Sequence, residues 1–164
     1  MRKIIEGDVN LRSLFLKELF DLSDVEVTDD FDCGKNNLTN LEGSPHTVGG
    51  GFDCYNNDLI SLAGAPHTVG GDFDCGKNNL TNLEDSPHTV GKSFWCFNND
   101  LTNLKGAPHT VGRNFDCSGN PLTSLEGIPK TVGRNFFIDE VLEDKFPEEY
   151  IRRLCKIKDN VVYV

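Results

Sequence analysis

Residues 48–68 read VGGGFDCYNNDLISLAGAPHT, and this pattern recurs every 21 residues along most of the chain. Each unit runs Val-Gly, Phe-x-Cys, Asn-x-Leu-x-x-Leu and Gly-x-Pro, where x marks a variable position. The phenylalanine stands at Phe31, Phe52, Phe73, Phe94, Phe115 and Phe136. A fixed period of this length predicts a solenoid, in which each unit forms one coil and buries its apolar edge against the next coil.

The Phe-x-Cys segment alternates apolar and polar residues, which is typical of a strand with one buried face. The cysteine stands at Cys33, Cys54, Cys75, Cys96 and Cys117. These positions lack the close pairs of a zinc site, so we expect the cysteines to pack as small core residues. The asparagines Asn36, Asn57, Asn78, Asn99 and Asn120 are expected to point inward and satisfy backbone groups where the chain leaves the strand.

The segment from Phe52 to Leu59 resembles the leucine-rich-repeat core L-x-L-x-x-N-x-L, with Phe and Cys in place of two leucines. The Leu-x-x-Leu that follows, with its proline, is similar to the short bacterial subtype and to small repeat proteins of tailed bacteriophages and bacteria. The resemblance covers residues 5–138. It implies a leucine-rich-repeat solenoid of stacked short parallel strands, with turns and extended or 3₁₀ segments on the outer face. Six coils would give one sheet about 24 Å across.

We interpret residues 1–164 as a single domain of three parts. Residues 5–26 are a degenerate first repeat, because Ile5, Val9 and Leu11 keep the spacing of later coils. An amphipathic helix over residues 11–20 is the alternative. Residues 27–138 hold five 21-residue repeats and a final strand. Residues 139–164 are a C-terminal cap, with a helix after Pro147, whose apolar stripe is Phe146, Tyr150, Ile151, Leu154 and Ile157, and then a last strand over residues 161–164.

The chain has 164 residues and a formal net charge of −10. This excess of acid disfavours direct binding to nucleic acid and adsorption to anionic membranes. No apolar run is long enough for a signal peptide or a membrane span, so we expect a cytoplasmic protein with reduced cysteines.

The sequence offers no serine elbow, phosphate-binding loop or catalytic carboxylate pair, and we expect no enzyme activity, metal or cofactor. One other feature could carry chemistry, the file His46, His67, His88 and His109. Such a file can bind a metal or sense pH, but copying of the unit is the simpler explanation, and Lys130 replaces the fifth histidine.

Residues that flank the buried Phe and Cys should form one outward strand face. An acidic stripe runs along this face and consists of Asp30, Asp32, Asp53, Asp72 and Asp74. Because stacked like charges destabilise a sheet, core folding alone does not favour the stripe. The only tryptophan, Trp95, stands where four other repeats have Asp. Exposed aromatics on such a face are typical interface anchors, although a C-terminal cap could also cover them. The candidate partner-binding residues are Trp95, Phe97, Tyr55, Phe137, Asp32, Asp53, Asp74 and Asp116.

These observations favour a non-catalytic protein-binding module, and the resemblance implies a phage protein that binds a host or viral protein through its strand face. Two alternatives remain open. One is an acidic DNA mimic that inhibits a nucleic-acid-binding protein. The other is a self-associating structural module with an open first strand, so that the protein is a monomer or a weak homo-oligomer.

Overall fold

The computed structural model describes residues 3–164, which form a parallel β-solenoid of about eight coils, each of about 21 residues. Every coil contributes one short strand to each of two eight-stranded sheets. The first, which we call the valine sheet, contains β1 Lys3–Ile5, β3 Val25–Val27, β5 Thr47–Val48, β7 Thr68–Val69, β9 Thr89–Val90, β11 Thr110–Val111, β13 Thr131–Val132 and β15 Lys156–Ile157.

The second sheet, which we call the phenylalanine sheet, carries the Phe-x-Cys segments. It contains β2 Val9–Asn10, β4 Phe31–Asp32, β6 Phe52–Asp53, β8 Phe73–Asp74, β10 Phe94–Trp95, β12 Phe115–Asp116, β14 Phe136–Ile138 and β16 Val161–Tyr163. Strands pair in parallel and in register, so that Phe52 lies beside Phe31 and Phe73. Equivalent residues of successive coils therefore form straight rows along the solenoid.

The valine sheet is a difference from the sequence-based expectation of one sheet and an outer side of turns. In five successive coils its strands are only two residues long. They lie between a proline turn and a glycine, and each contains one buried apolar residue, the valine, so the segment shows no apolar alternation of the Phe-x-Cys kind. The leucine turns, which connect the phenylalanine sheet back to the valine sheet, contain no regular helix within residues 3–138.

The core consists of the repeated apolar side chains. Neighbouring phenylalanine rings from Phe31 to Phe136 stack with centroids 5.3 to 5.5 Å apart. The repeat cysteines are free and fully buried, as the alternation predicted. Burial of these rows between successive coils is the main source of stability, because no single coil encloses its own apolar edge.

The buried asparagines connect successive coils. The Nδ2 group of Asn78 donates to the carbonyl oxygens of Cys75 in its own coil, at 3.1 Å, and of Cys54 in the preceding coil, at 3.2 Å. Its Oδ1 accepts the backbone N–H of Leu59 at 3.0 Å. The inward orientation predicted from the sequence is confirmed, and the contacts between coils run from amide to backbone.

Two kinds of glycine are required by the backbone. Gly64 has φ +86°, and a Cβ there would also lie 2.4 Å from the carbonyl oxygen of Leu41. The equivalent residue Asp85 adopts φ 65°, which Asp tolerates better than most residues. Gly70 follows a valine strand, and a Cβ at this position would lie 2.1 Å from the carbonyl oxygen of Gly49.

The two ends of the solenoid differ. Residues 11–20 contain no helix, and the first coil instead contributes β1 and β2. At the other end, a 3₁₀ helix over Glu140–Leu142 precedes α1, Glu148–Leu154, which confirms the predicted helix. Its Ile151 is fully buried, but Tyr150 is 37% and Leu154 39% exposed. The helix has only seven residues and packs inward through Ile151, so the predicted apolar stripe is only partly buried.

No helix within residues 3–164 has both the length and the apolar character that crossing a membrane requires.

Candidate functional site

The outward side of the phenylalanine sheet presents two neighbouring rows of variable residues. The middle row, between Phe and Cys, is Asn10, Asp32, Asp53, Asp74, Trp95, Asp116 and Phe137. The adjacent row, after Cys, is Arg12, Gly34, Tyr55, Gly76, Phe97, Ser118 and Asp139. In-register pairing places Trp95 directly between Asp74 and Asp116. All eight candidate binding residues therefore lie on one face.

The middle-row aspartates have a local structural role. The Oδ1 atom of each accepts the backbone N–H two residues further on, from Gly34, Tyr55, Gly76 and Ser118 respectively, at 2.8 to 2.9 Å. These Asx turns direct the chain out of each strand. Asp30 and Asp72, one position before the phenylalanines, likewise accept the N–H groups of Gly51 and Ser93 in the next coil. Folding therefore does favour much of the acidic stripe, contrary to the argument from like-charge repulsion.

Trp95 and Phe137 replace this aspartate in their coils and offer no acceptor for the local N–H group. Their ring centroids are 6.4 Å apart, so the two side chains meet across the coil of Asp116. Tyr55 and Phe97 meet in the same way, at 6.0 Å, across the coil of Gly76. All four aromatic residues are half-buried. They form two ring pairs, on the middle and the adjacent row.

Gly76 makes the second pair possible, a role that the sequence analysis missed. A Cβ on Gly76 would lie 2.6 to 2.9 Å from three ring atoms of Phe97, because the ring lies over the glycine. The Nζ atom of Lys77 lies 5.4 Å from the Tyr55 ring centroid and adds a cation–π contact. The aromatic surface thus already holds one cation of the chain itself.

Arg12 neutralises the first part of the middle row. Its Nη1 atom is 3.1 Å from Asp32 Oδ2 and 2.7 Å from Asp53 Oδ2. The guanidinium lies against Gly34, where a Cβ would be 2.8 Å from Nη1. The backbone of Arg12 belongs to the adjacent row, but a side chain of this length reaches across coils, and register alone does not show where it ends.

Asp74 and Asp116 differ from Asp32 and Asp53 in that Arg12 does not contact them. The pKa of Asp74 is raised to about 6, chiefly by burial; the charges of Asp53 and Asp116 contribute to the increase, and the Gly76 N–H and Arg12 act against it. Burial also raises the pKa of Asp116, although hydrogen bonds from Ser118 act in the opposite direction. Within the described residues 3–164, neither carboxylate forms an ion pair. The part of the middle row around Trp95 therefore carries negative charge without a bound cation.

The histidine file lies on another side of the solenoid. The rings of His46 and His67 stack at 5.7 Å, and those of His67 and His88 at 4.5 Å. A groove of about 1030 Å³ begins at His88 and His109 and ends at Tyr150 and Leu154 of α1. Its other walls mix acidic, basic and apolar side chains. Neither shape nor charge selects one kind of occupant for this groove.

The buried cysteines are poor nucleophiles. Burial raises the pKa of the Cys75 thiol well above its ordinary value, and the same holds for Cys54, Cys96 and Cys117. Reaction requires the thiolate, so these groups stay inert in the folded chain. Over the described part of the chain, no group of three or more His, Cys, Asp or Glu side chains is arranged to hold a metal ion.

The first coil exposes three large apolar side chains that lie close together in the sequence. Phe15 is 84%, Leu14 56% and Phe20 55% exposed. No preceding coil within the described residues covers Ile5, Val9, Leu11 and Leu16, which are half-buried and occupy the positions of core residues in later coils. This N-terminal end is a second apolar surface, separate from the strand face.

No protein-family model matches the chain, and comparisons with curated proteins and with solved structures give no match either.

Proposed function

We propose that this chain is a non-catalytic protein-binding module of the leucine-rich-repeat type, which docks a partner protein on the outward face of its phenylalanine sheet. The observation that carries the proposal is the replacement of Asp by Trp95 and Phe137. Both replacements give up a local hydrogen bond that other coils make, and together they bring two large rings into contact on an outward surface. Folding does not require either ring.

The composition of this face fits protein recognition. Half-buried aromatic side chains on a rigid sheet lose little conformational entropy on binding and are common interface anchors. The surrounding carboxylates steer a basic partner, in keeping with the net charge of −10. The resemblance to bacteriophage and bacterial repeat proteins supports a host or viral protein in the cytoplasm as the partner.

The DNA-mimic alternative fits this face less well. A mimic of a phosphate backbone needs a continuous row of free negative charges. Arg12 neutralises Asp32 and Asp53, and Trp95 and Phe137 interrupt the row further along. Only Asp74 and Asp116 remain in the middle row as unpaired carboxylates among the described residues.

Comparison of the wild type with Trp95→Ala tests the proposal. Each purified protein captures partners from a host lysate, and the enriched protein is then titrated calorimetrically as a pure component. We expect Trp95→Ala to weaken binding by about ten-fold or more, since it removes a central anchor. The matched control is Ile60→Ala, which shortens a 65% exposed side chain on a leucine turn. Equal affinity of Trp95→Ala and wild type for the purified partner would contradict the proposal.

Self-association is a second candidate function, favoured by the exposed Phe15 and by β1 and β2, which are edge strands among the described residues 3–164. Sedimentation equilibrium at increasing concentration tests it, with Phe15→Ser as the variant. A dimer that Phe15→Ser dissociates would support this function. A monomeric mass at every concentration would remove it and leave the strand-face proposal unaffected.

A further inference from the structure

Arg12 shows how the outward face of this solenoid holds a guanidinium group. One nitrogen, Nη1, contacts the carboxylates of two neighbouring coils, Asp32 and Asp53. The side chain finds room because the adjacent row has Gly34 at that point. The same face also carries the Lys77 ammonium over the Tyr55 ring. Both ways of binding a cation, by paired carboxylates and by an aromatic face, thus occur within the chain.

The next part of the middle row has two carboxylates and an aromatic ring between them, with no ion pair among the described residues. Asp74 and Asp116 lie on the strands on either side of Trp95, and neither has an ion-pair partner within residues 3–164. The two carboxylates also act on each other electrostatically across the tryptophan. An indole ring flanked by two half-buried carboxylates that form no ion pair within residues 3–164 is chemically complementary to a planar cation.

We infer that the strand face contains a receptor site for an arginine side chain of the partner, whose guanidinium lies against the Trp95 indole and pairs with Asp74. Asp116 adds negative potential from the other side of the ring. This inference rests on the proposed function and specifies the chemistry of the partner. Arginine fits better than lysine, because a planar guanidinium stacks on an aromatic ring while its N–H groups reach a carboxylate.

The half-buried position of Asp74 favours binding of a cation at this site. Burial disfavours the ionised carboxylate, and a cation placed beside it relieves that penalty. The charged groups that act on Asp74 are Asp53, Asp116 and Arg12. Of these only Arg12 is positive, and it is already bound to Asp32 and Asp53. The binding energy of an external cation is therefore concentrated at Asp74.

The chain's single tryptophan lies in this site, so its fluorescence reports binding there. The probe is a short peptide, acetyl-(Gly-Arg)₃-amide, titrated into the full chain at about pH 7.5 and low salt. The control peptide carries citrulline in place of arginine, which keeps the shape and removes the charge. We expect saturable quenching or a shift with the arginine peptide, and at least about ten-fold weaker binding of the citrulline peptide.

Three variants locate the site. Asp74→Asn keeps an oxygen that accepts the Gly76 N–H group, so the strand remains intact, and we expect it to weaken binding about ten-fold. Asp116→Asn should weaken it about three-fold. The charge-matched control Glu84→Gln changes an exposed residue on a leucine turn. It alters the net charge by the same amount as Asp74→Asn and should change affinity less than about two-fold.

The dependence on pH gives an independent readout. Between about pH 7.5 and pH 5, protonation of Asp74 should weaken binding of the arginine peptide to the wild type about five-fold, with a smaller change for Asp74→Asn. Equal binding of the citrulline peptide, or equal losses in Asp74→Asn and Glu84→Gln, would overturn the arginine site.

The two proposals fail separately. A partner that is lost with Trp95→Ala but bound normally by Asp74→Asn would leave the protein-binding function in place and overturn the arginine site. Peptide binding that depends on Asp74, with full partner affinity retained by Trp95→Ala, would keep an arginine-binding site on this face and overturn the docking of that partner there.

Discussion

The two sides of the phenylalanine sheet are made by the same strands but follow different rules. Inward, β8 presents Phe73, which stacks between Phe52 and Phe94 and is identical in six successive coils. Outward, the next residue is Asp74, and its row also contains Asn, Trp and Phe. The phenylalanine row is uniform through these six coils, because each ring packs against its own copies. The outward row needs only a turn at the strand end, so it can change where binding demands it.

The largest expected effect separates these two sides by stability. Phe73→Ala leaves a cavity in the middle of the ring stack and should lower the free energy of unfolding by about 3–5 kcal/mol. Trp95→Ala removes a half-buried outward ring and should lower it by only about 1 kcal/mol. Urea denaturation followed by circular dichroism measures both. Similar losses in the two variants would show that Trp95 is a core residue, and would weaken its assignment to binding.

A smaller effect, of opposite sign, is expected from Asp74→Asn. The folded-state pKa of Asp74, about 6, exceeds the ordinary value of 3.8, so ionisation of this carboxylate destabilises the fold as pH rises through that interval. At about pH 7.5 the variant should be more stable than the wild type by about 1–2 kcal/mol, allowing for partial solvent screening.

At about pH 4.5 that gain should fall to about one third, because the wild-type carboxylate is then protonated in the folded state. Urea denaturation of both proteins at the two pH values checks this, and comparison of the difference cancels the titration of other carboxylates. A gain that is independent of pH would show that the ionisation of Asp74 is not its source.

The smallest effect concerns the neutralised part of the outward row. Arg12→Met keeps much of the aliphatic stem and removes the ion pairs with Asp32 and Asp53, whose side chains are 25% and 34% exposed. We expect a loss of about 0.5–1 kcal/mol that decreases with added salt. Thermal unfolding in low and high salt measures it. An effect that salt does not change would indicate lost packing of the stem rather than lost ion pairs.

Much of the architecture could be predicted from the sequence, because the 21-residue period fixes both the coil and the register. The inward cysteines and asparagines and the C-terminal helix follow from alternation, turn chemistry and the Pro147-Glu148-Glu149 start. The valine sheet could not be predicted, since each of its repeated strands carries one buried apolar residue, the valine, whereas the Phe-x-Cys segment carries two with a polar residue between them. Its hydrogen bonds arise only once coils are stacked.

The candidate site was predictable in part. Outward residues follow from alternation, which placed Trp95 and Phe137 on one face two strands apart, and the contact at 6.4 Å agrees with that spacing. The Asx turns of the aspartates and the reach of Arg12 were not visible, because both depend on side-chain conformation. As a result, the sequence assigned to binding a stripe that folding partly explains, and did not distinguish Asp74 and Asp116 from Asp32 and Asp53, which pair with Arg12.

The asparagine bridges also give the solenoid a direction of growth. Each Asn belongs to one coil but accepts the leucine N–H of the coil before it: Asn57 serves Leu38, and Asn120 serves Leu101. During synthesis, the leucine N–H of each new coil therefore lacks its asparagine acceptor until the next coil has been made. The series ends at Leu122, whose N–H donates instead to the backbone carbonyl oxygen of Asn120 in its own coil, at 2.8 Å. Truncation from the C-terminal side therefore leaves the leucine N–H of the last coil without its asparagine acceptor, whereas removal of coils from the N-terminal side leaves every remaining bond from leucine N–H to asparagine in place.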